Sequence, residues 1–198
     1  METMADIMNR YTKSGSSIRV DIVCKYYPQI DGIIDGRIAG MKYTIWEEKE
    51  KKKRVDKCEL GIRVQSGNSY SDPTGNEATF RADLESSIRN CDFSGGVLDG
   101  IDHPERIIKE AYVLRHMKQI QTLYGMQLRG LIISDQTMFL QYLNRDITLA
   151  DIADKRGIEY SSASKRIVRI KKKLKQEVIE IMDSSSCQID TNYDSQED

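Results

Sequence analysis

The apolar residues of the first long segment, from about Ser17 to Val64, fall on a helical stripe. Ile30, Ile34, Ile38, Met41 and Ile45 are spaced by four, four, three and four residues, the repeat of one face of a helix. The stripe crosses "EEKEKKKR" (47–54), where Glu48 and Lys52 occupy seam positions, and resumes at Val55, Cys58 and Ile62. A long helix interrupted by a solvated stretch is predicted, with the charge run facing water. Gly32, Gly36 and Gly40 recur every fourth residue in this segment; between charges they predict a weak or bent helix.

The next segment opens with a loop by composition, "GNSYS", inside "QSGNSYSDPTGNEA" (65–78). Asp72 before Pro73 predicts a helix start, because the carboxylate can accept from free backbone amides and proline lacks only an N–H that would be orphaned there. Phe80, Leu84, Ile88 and Cys91 then form one face of a helix ending near "DFSGG" (92–96). His103 before Pro104 predicts a second helix start, and His103 reads as structural. That helix runs to about Arg129 on a stripe of Ile107, Ala111, Leu114, Met117, Ile120, Tyr124 and Leu128. Such a stripe is a packing seam against the first segment, within one subunit or between two.

From Ser134 the pattern breaks into shorter units. Ser134 can cap a helix carrying Met138, Phe139, Tyr142 and Leu143, which "DIT" (146–148) ends. Thr148 and Asp151 form a relative of the capping box for a short helix burying Leu149, Ile152 and Ala153. Gly157 ends it, since the turn needs positive φ. A last helix begins near Tyr160, with Ala163, Ile167, Ile170, Leu174, Val178 and Ile181 on one face. The expected fold is therefore all-α: long N-terminal helices, suited to coiled-coil pairing, then a C-terminal helix-turn-helix. The expected divisions are 1–100, with a loop near 65–72; 103–182, a linker helix plus the helix-turn-helix; and 183–198, an acidic disordered tail.

Charge sharpens this picture. The chain of 198 residues carries a formal charge of −1. Yet "KRIVRIKKKLK" (165–175) holds seven Lys or Arg and no acid, whereas the last sixteen residues hold five acids and no base. A solvated face would mix signs to gain i,i+4 pairs; like charges repel and cost stability. A membrane-surface helix would carry large apolar residues opposite the charges, where this one has Ala and Ile needed by the preceding short helix. Double-stranded DNA supplies dense negative charge, and neutralising its phosphates releases counterions. The residues predicted to face it are Tyr160, Ser161, Ser162, Ser164, Lys165, Arg166, Arg169, Lys172 and Lys173. Small hydroxyl residues allow close approach to a groove, and the cations reach phosphates or a guanine edge. The acidic tail is expected to compete with DNA for the basic helix.

Other classes find little support. Cys24, Cys58, Cys91 and Cys187 lie 33 or more residues apart, and His103 and His116 have no ligand-spaced partner, so neither a zinc site nor a disulfide framework is expected. No GxxxxGK[ST], GxSxG or HExxH occurs, so neither a catalytic function nor a cofactor is expected. No apolar run reaches the length of a membrane span, and the first residues lack a secretion-signal layout. A cytoplasmic protein is expected.

"TLADIADKRGIEYSSASKRIVRIKKKLK" (148–175) resembles the helix-turn-helix of bacterial sigma factor region 4. The matching positions are Thr148, Leu149, Asp151, Ile152, Ala153, Gly157, Ile158, Ser162 and Arg166. Glu159 stands where a capping Ser is usual and Ala163 where Val is usual. Upstream, no counterpart of the aromatic-rich region that melts promoters is present. The layout of N-terminal helices, a "SDPTGNEA" stretch and a sigma-like reader is similar to phage-encoded transcriptional activators of the RinA and ArpU groups. The resemblance implies a DNA-binding regulator of late phage genes that acts with bacterial RNA polymerase in the host cytoplasm, and the long helices imply a homodimer. A stand-alone sigma-like factor and a phage terminase small subunit are the alternatives.

Overall fold

The computed structural model describes residues 3–59 and 73–184, and all regular structure among them is helical. The helices are α1 (Met4–Lys13), α2 (Ser16–Lys25), α3 (Ile30–Glu59), α4 (Pro73–Asn90), α5 (Pro104–Arg129), α6 (Ile133–Leu143), α7 (Leu149–Arg156) and α8 (Tyr160–Ser184), with a 3-10 turn at Tyr27–Gln29. The loop expected near 65–72, Asp72, Ile62 and the tail from 185 onward lie outside the described residues, as do the side chains of Val55 and Cys58. The chain forms two compact units: one of Met1–Ile30 with Met117–Asp198, the other of Asp31–His116. The start of the chain thus folds with the part that follows His116.

In the second unit the predicted stripe of α3 is the buried one: Ile34, Ile38, Met41 and Ile45 are all inside. The helix is continuous across its three glycines, and no atom lies within 4 Å of a Cβ built on Gly32 or Gly40. Leu84 and Ile88 of α4 are buried, while Phe80 and Cys91 sit at the edge of the interior. Ala111 and Leu114 of α5 complete the core with Val97, Leu98 and Ile101 from the connecting loop. Charged pairs frame it. Arg37 of α3 pairs with Glu110 of α5, Lys42 with Glu85 at 2.6 Å, and Arg89 with Asp35 at 2.9 Å. Pro104 opens α5 as predicted. His103 before it has φ +56° and an exposed ring, with Nδ1 3.2 Å from Glu105.

The first unit opens with a helix absent from the sequence reading. Thr3 caps α1: its Oγ1 accepts the Asp6 amide at 3.2 Å, and the Asp6 carboxylate accepts the Thr3 amide at 3.1 Å. Ile7, Met8 and Tyr11 are buried. Arg19 of α2 donates to the Tyr11 and Thr12 carbonyls, each at 3.1 Å, and so fastens α2 to the end of α1. The second half of α5 buries Met117, Ile120, Tyr124 and Leu128 here. Helix α8 is the unit's spine. It packs against both α2 and α7, and its seam of Ala163, Ile167, Ile170, Leu174 and Val178 is buried. Each fully buried Ile, Leu or Val contributes about 1.5–3 kcal/mol relative to exposure. The seam closes on Met182, not on the expected Ile181, which is half-buried.

Candidate nucleic-acid interface

Helices α7 and α8 are joined by three residues, 157–159. Thr148 caps α7 with the predicted reciprocal bonds: its amide donates to Asp151 Oδ2 at 2.7 Å, and the Asp151 amide donates to Thr148 Oγ1 at 3.3 Å. Those bonds to its anionic form hold the Asp151 carboxyl below its ordinary pKa, the backbone bond from Thr148 first. At the other end Gly157 has φ +60° and ψ +37°. This left-handed geometry lets the Ile158 amide turn back to the Ala153 carbonyl at 3.0 Å, the closure that satisfies a helix C-terminus. Glu159 then presents its carbonyl to the amides of Ser162 and Ala163, at 2.9 and 3.0 Å, and α8 begins at Tyr160. Ala163 is fully buried; its small side chain suits the close approach of α7 to α8.

Helix α6 starts differently from the prediction. Its N-cap is Ile132, with no side-chain cap, and Ser134 lies inside the helix. Ser134 contributes its carbonyl instead, which accepts from Arg156 Nη2 at 2.9 Å. Beside it, Asp135 of α6 receives Arg166 of α8 through Nε at 3.0 Å and through Nη2 at 2.7 and 2.9 Å. Arg156 of α7 also reaches Asp135, at 3.2 Å. One carboxylate, 17% exposed, therefore ties three helices together through two guanidinium groups. The sequence reading has Arg166 as a phosphate contact; in this structure its guanidinium pairs with Asp135.

The remaining predicted residues sort by their position around α8. Tyr160, Ser161, Ser162, Lys165, Arg169, Lys172 and Lys173 are exposed, and Ser164 is half-buried. At about 100° per residue, Lys165, Arg169 and Lys172 fall within an arc of about 60°. Ser161 extends the row by one turn, and the row lies opposite the buried seam. Lys165 and Lys172 are about 10 Å apart along the axis at 1.5 Å per residue. Among the described residues none of these three cations has an ion-pair or hydrogen-bond partner. Their neighbours do. Lys175 donates to Asp21 of α2 at 2.6 Å, Lys173 lies 3.7 Å from Glu177, and Lys171 sits 5.4 Å from the centre of the Tyr142 ring. The basic run thus divides into cations that hold the fold and a row that faces outward.

Among the described residues no group of His, Cys, Asp and Glu could hold a metal ion, and no helix is long and apolar enough to cross a membrane. Lys165, Arg169 and Lys172 offer what an extended anion requires: charge of one sign, on one face, at the spacing of helical turns. No family model, curated protein or solved structure matches this chain.

Proposed function

We propose that the protein is a sequence-specific DNA-binding transcriptional regulator that lays the outward row of α8 against duplex DNA. The observation that carries this reading is the row itself, Ser161, Lys165, Arg169 and Lys172, opposite a buried seam and without internal counter-charge. Like charges three and four residues apart on a helix each cost about 0.2–0.5 kcal/mol. An external polyanion offsets that cost and adds the entropy of released counterions. The exposed serines at the start of α8 let the helix approach a groove, and the exposed Tyr160 can stack on sugar or contact a thymine methyl. The Asp135 clamp supports this role by fixing how α8 is presented, since a reading helix must be held rigidly to discriminate bases.

The resemblance to sigma region 4 and to the RinA and ArpU activators extends the reading to control of phage genes, with bacterial RNA polymerase as partner and a homodimer as the acting form. A two-fold dimer would read two half-sites about one helical turn apart, or multiples of that. Selection of duplexes from a random pool by the purified full chain tests the proposal. Recovery of a shared motif, retained at low salt and released as salt rises, is expected. Recovery of unrelated sequences, or of none in dilute buffer, would overturn it.

A further inference from the structure

On another side of the same unit a cleft of about 620 Å³ opens between α2, the end of α5, the 143–149 connection and α8. This is a volume typical of small-molecule sites. Its charged lining is one-sided: Lys25, Arg145, Lys171 and Lys175 against the single acid Asp21. Its floor is apolar or aromatic, with Val20, Leu143, Ile147 and the rings of Tyr124 and Tyr142. Two floor groups of acidic type carry no negative charge. Cys24 Sγ and Tyr124 Oη lie 3.0 Å apart in a buried hydrogen bond, and burial pushes both the thiol and the phenol up from their ordinary values. The floor therefore stays neutral at physiological pH.

Arg145 adds a second, independent sign. It follows the end of α6 with φ +66°, a left-handed conformation that costs a side chain about 1–2 kcal/mol and that glycine adopts freely. Its amide and that of Asp146 close the helix onto the carbonyls of Tyr142 and Gln141 at 3.2 and 2.9 Å. Glycine would make the same bonds without strain. What arginine adds at this position is a guanidinium at the cleft, and among the described residues it has no partner. Strained residues of this kind concentrate at functional sites.

We infer that this cleft binds a small phosphorylated ligand with a planar ring, of the mononucleotide class. The ring lies on the apolar floor beside Tyr142, and the phosphates meet Arg145, Lys171 and Lys175. Arginine and lysine supply the two usual phosphate partners, a fork and a point charge. The ligand competes with Asp21 for Lys175, which Asp21 holds at 2.6 Å. The site stands independently of the DNA-reading row, which lies on a different face of α8. A duplex phosphate offers the same anionic chemistry, so the test separates the two sources.

The intact protein is titrated calorimetrically with ATP, with adenosine and with inorganic phosphate, and the ATP titration is repeated in the presence of a saturating short duplex. ATP is expected to bind one per chain and at least roughly tenfold more tightly than either fragment, since each charge-assisted contact is worth about tenfold. Lys171→Gln should weaken ATP by roughly tenfold. Arg145→Gly should weaken it similarly while raising thermal stability, which a merely structural arginine would not do. Asp21→Asn should tighten ATP binding by freeing Lys175. ATP binding no tighter than phosphate, or unchanged in both Lys171→Gln and Arg145→Gly, would overturn the inference. Displacement of ATP by duplex, lost in those variants, would assign the cleft to DNA backbone and overturn the small-molecule reading.

Discussion

Two lysine-rich runs look alike on paper and differ in the folded chain. In α3, the described lysines of "EEKEKKKR" find partners within their own unit: Lys51 lies 3.1 Å from Glu47, Lys52 reaches Asp102 at 2.6 Å, and Lys49 sits 4.4 Å from the Phe80 ring centre. In α8, Lys165, Arg169 and Lys172 have no such partner among the described residues. Density of charge is thus a poor guide to function; what separates the two runs is whether the fold supplies the counter-charge. Lys49, Lys51 and Lys52 of the first thus brace their own unit. The second leaves three cations without counter-charge among the described residues, the feature on which the proposed DNA contact rests.

The largest effect that could break this contrast comes from charge reversal. Lys165→Glu with Arg169→Glu should abolish duplex binding in a gel-shift assay, whereas Lys51→Glu with Lys52→Glu should leave it within a factor of about two, because exposed charges that do not touch the duplex act only through screened potential. Equal losses from both pairs would erase the distinction. Next in size is Asp135→Ala, which leaves Arg156 and Arg166 facing each other without their shared carboxylate. A loss of roughly 1–2 kcal/mol in denaturant unfolding is expected, discounted for the exposure of the arginines. Arg166→Ala should likewise lower stability, while leaving the salt slope of DNA binding unchanged.

A smaller change is expected at the turn. Gly157→Ala meets no atom within 4 Å, so its cost is that of placing a side chain at φ +60°, about 1 kcal/mol. Thermal unfolding would register it. The smallest concerns acid. Asp151 has its pKa lowered by the Thr148 bonds, so the carboxylate's share of stability is present above its unfolded value and is lost as pH falls through its folded value. The difference in melting temperature between the parent and Thr148→Ala, a few degrees near neutrality, should therefore shrink on acidification below about pH 4, the ordinary aspartate value. A difference that grows instead would contradict the capping account.

What could be read from the sequence follows the range of the interactions. The seams of α3, α5 and α8 repeat every three or four residues, and their described apolar positions are buried, except Ile107 and Ile181, which are half-buried. The Thr148–Asp151 cap and the Gly157 turn depend on residues within a few positions and were equally readable. The same T-x-x-D signature at Thr3 and Asp6 opens α1, yet only Ile7, Met8 and Tyr11 follow it before the helix ends, a stripe too short to register by periodicity. Ser134 illustrates the opposite error: a good capping residue sits one position inside α6, and the tertiary contact of its carbonyl with Arg156 replaces the cap. The partner of Arg166 is 31 residues away, and nothing local marks it. Sequence pattern therefore located the basic helix but could not separate its outward row from the cations that brace it. The cleft around Arg145 was hidden for the same reason, because its lining comes from four separate stretches of chain.

The most direct measurement is the dependence of duplex affinity on salt for the parent and for Lys165→Ala, Arg169→Ala, Lys172→Ala combined. If these three side chains meet phosphates, the slope of log K against log salt should fall in magnitude by about 2.7 in the triple variant, at about 0.9 per contact. An undiminished slope, with the variant folded as judged by circular dichroism, would contradict the claim that α8 presents this row to DNA.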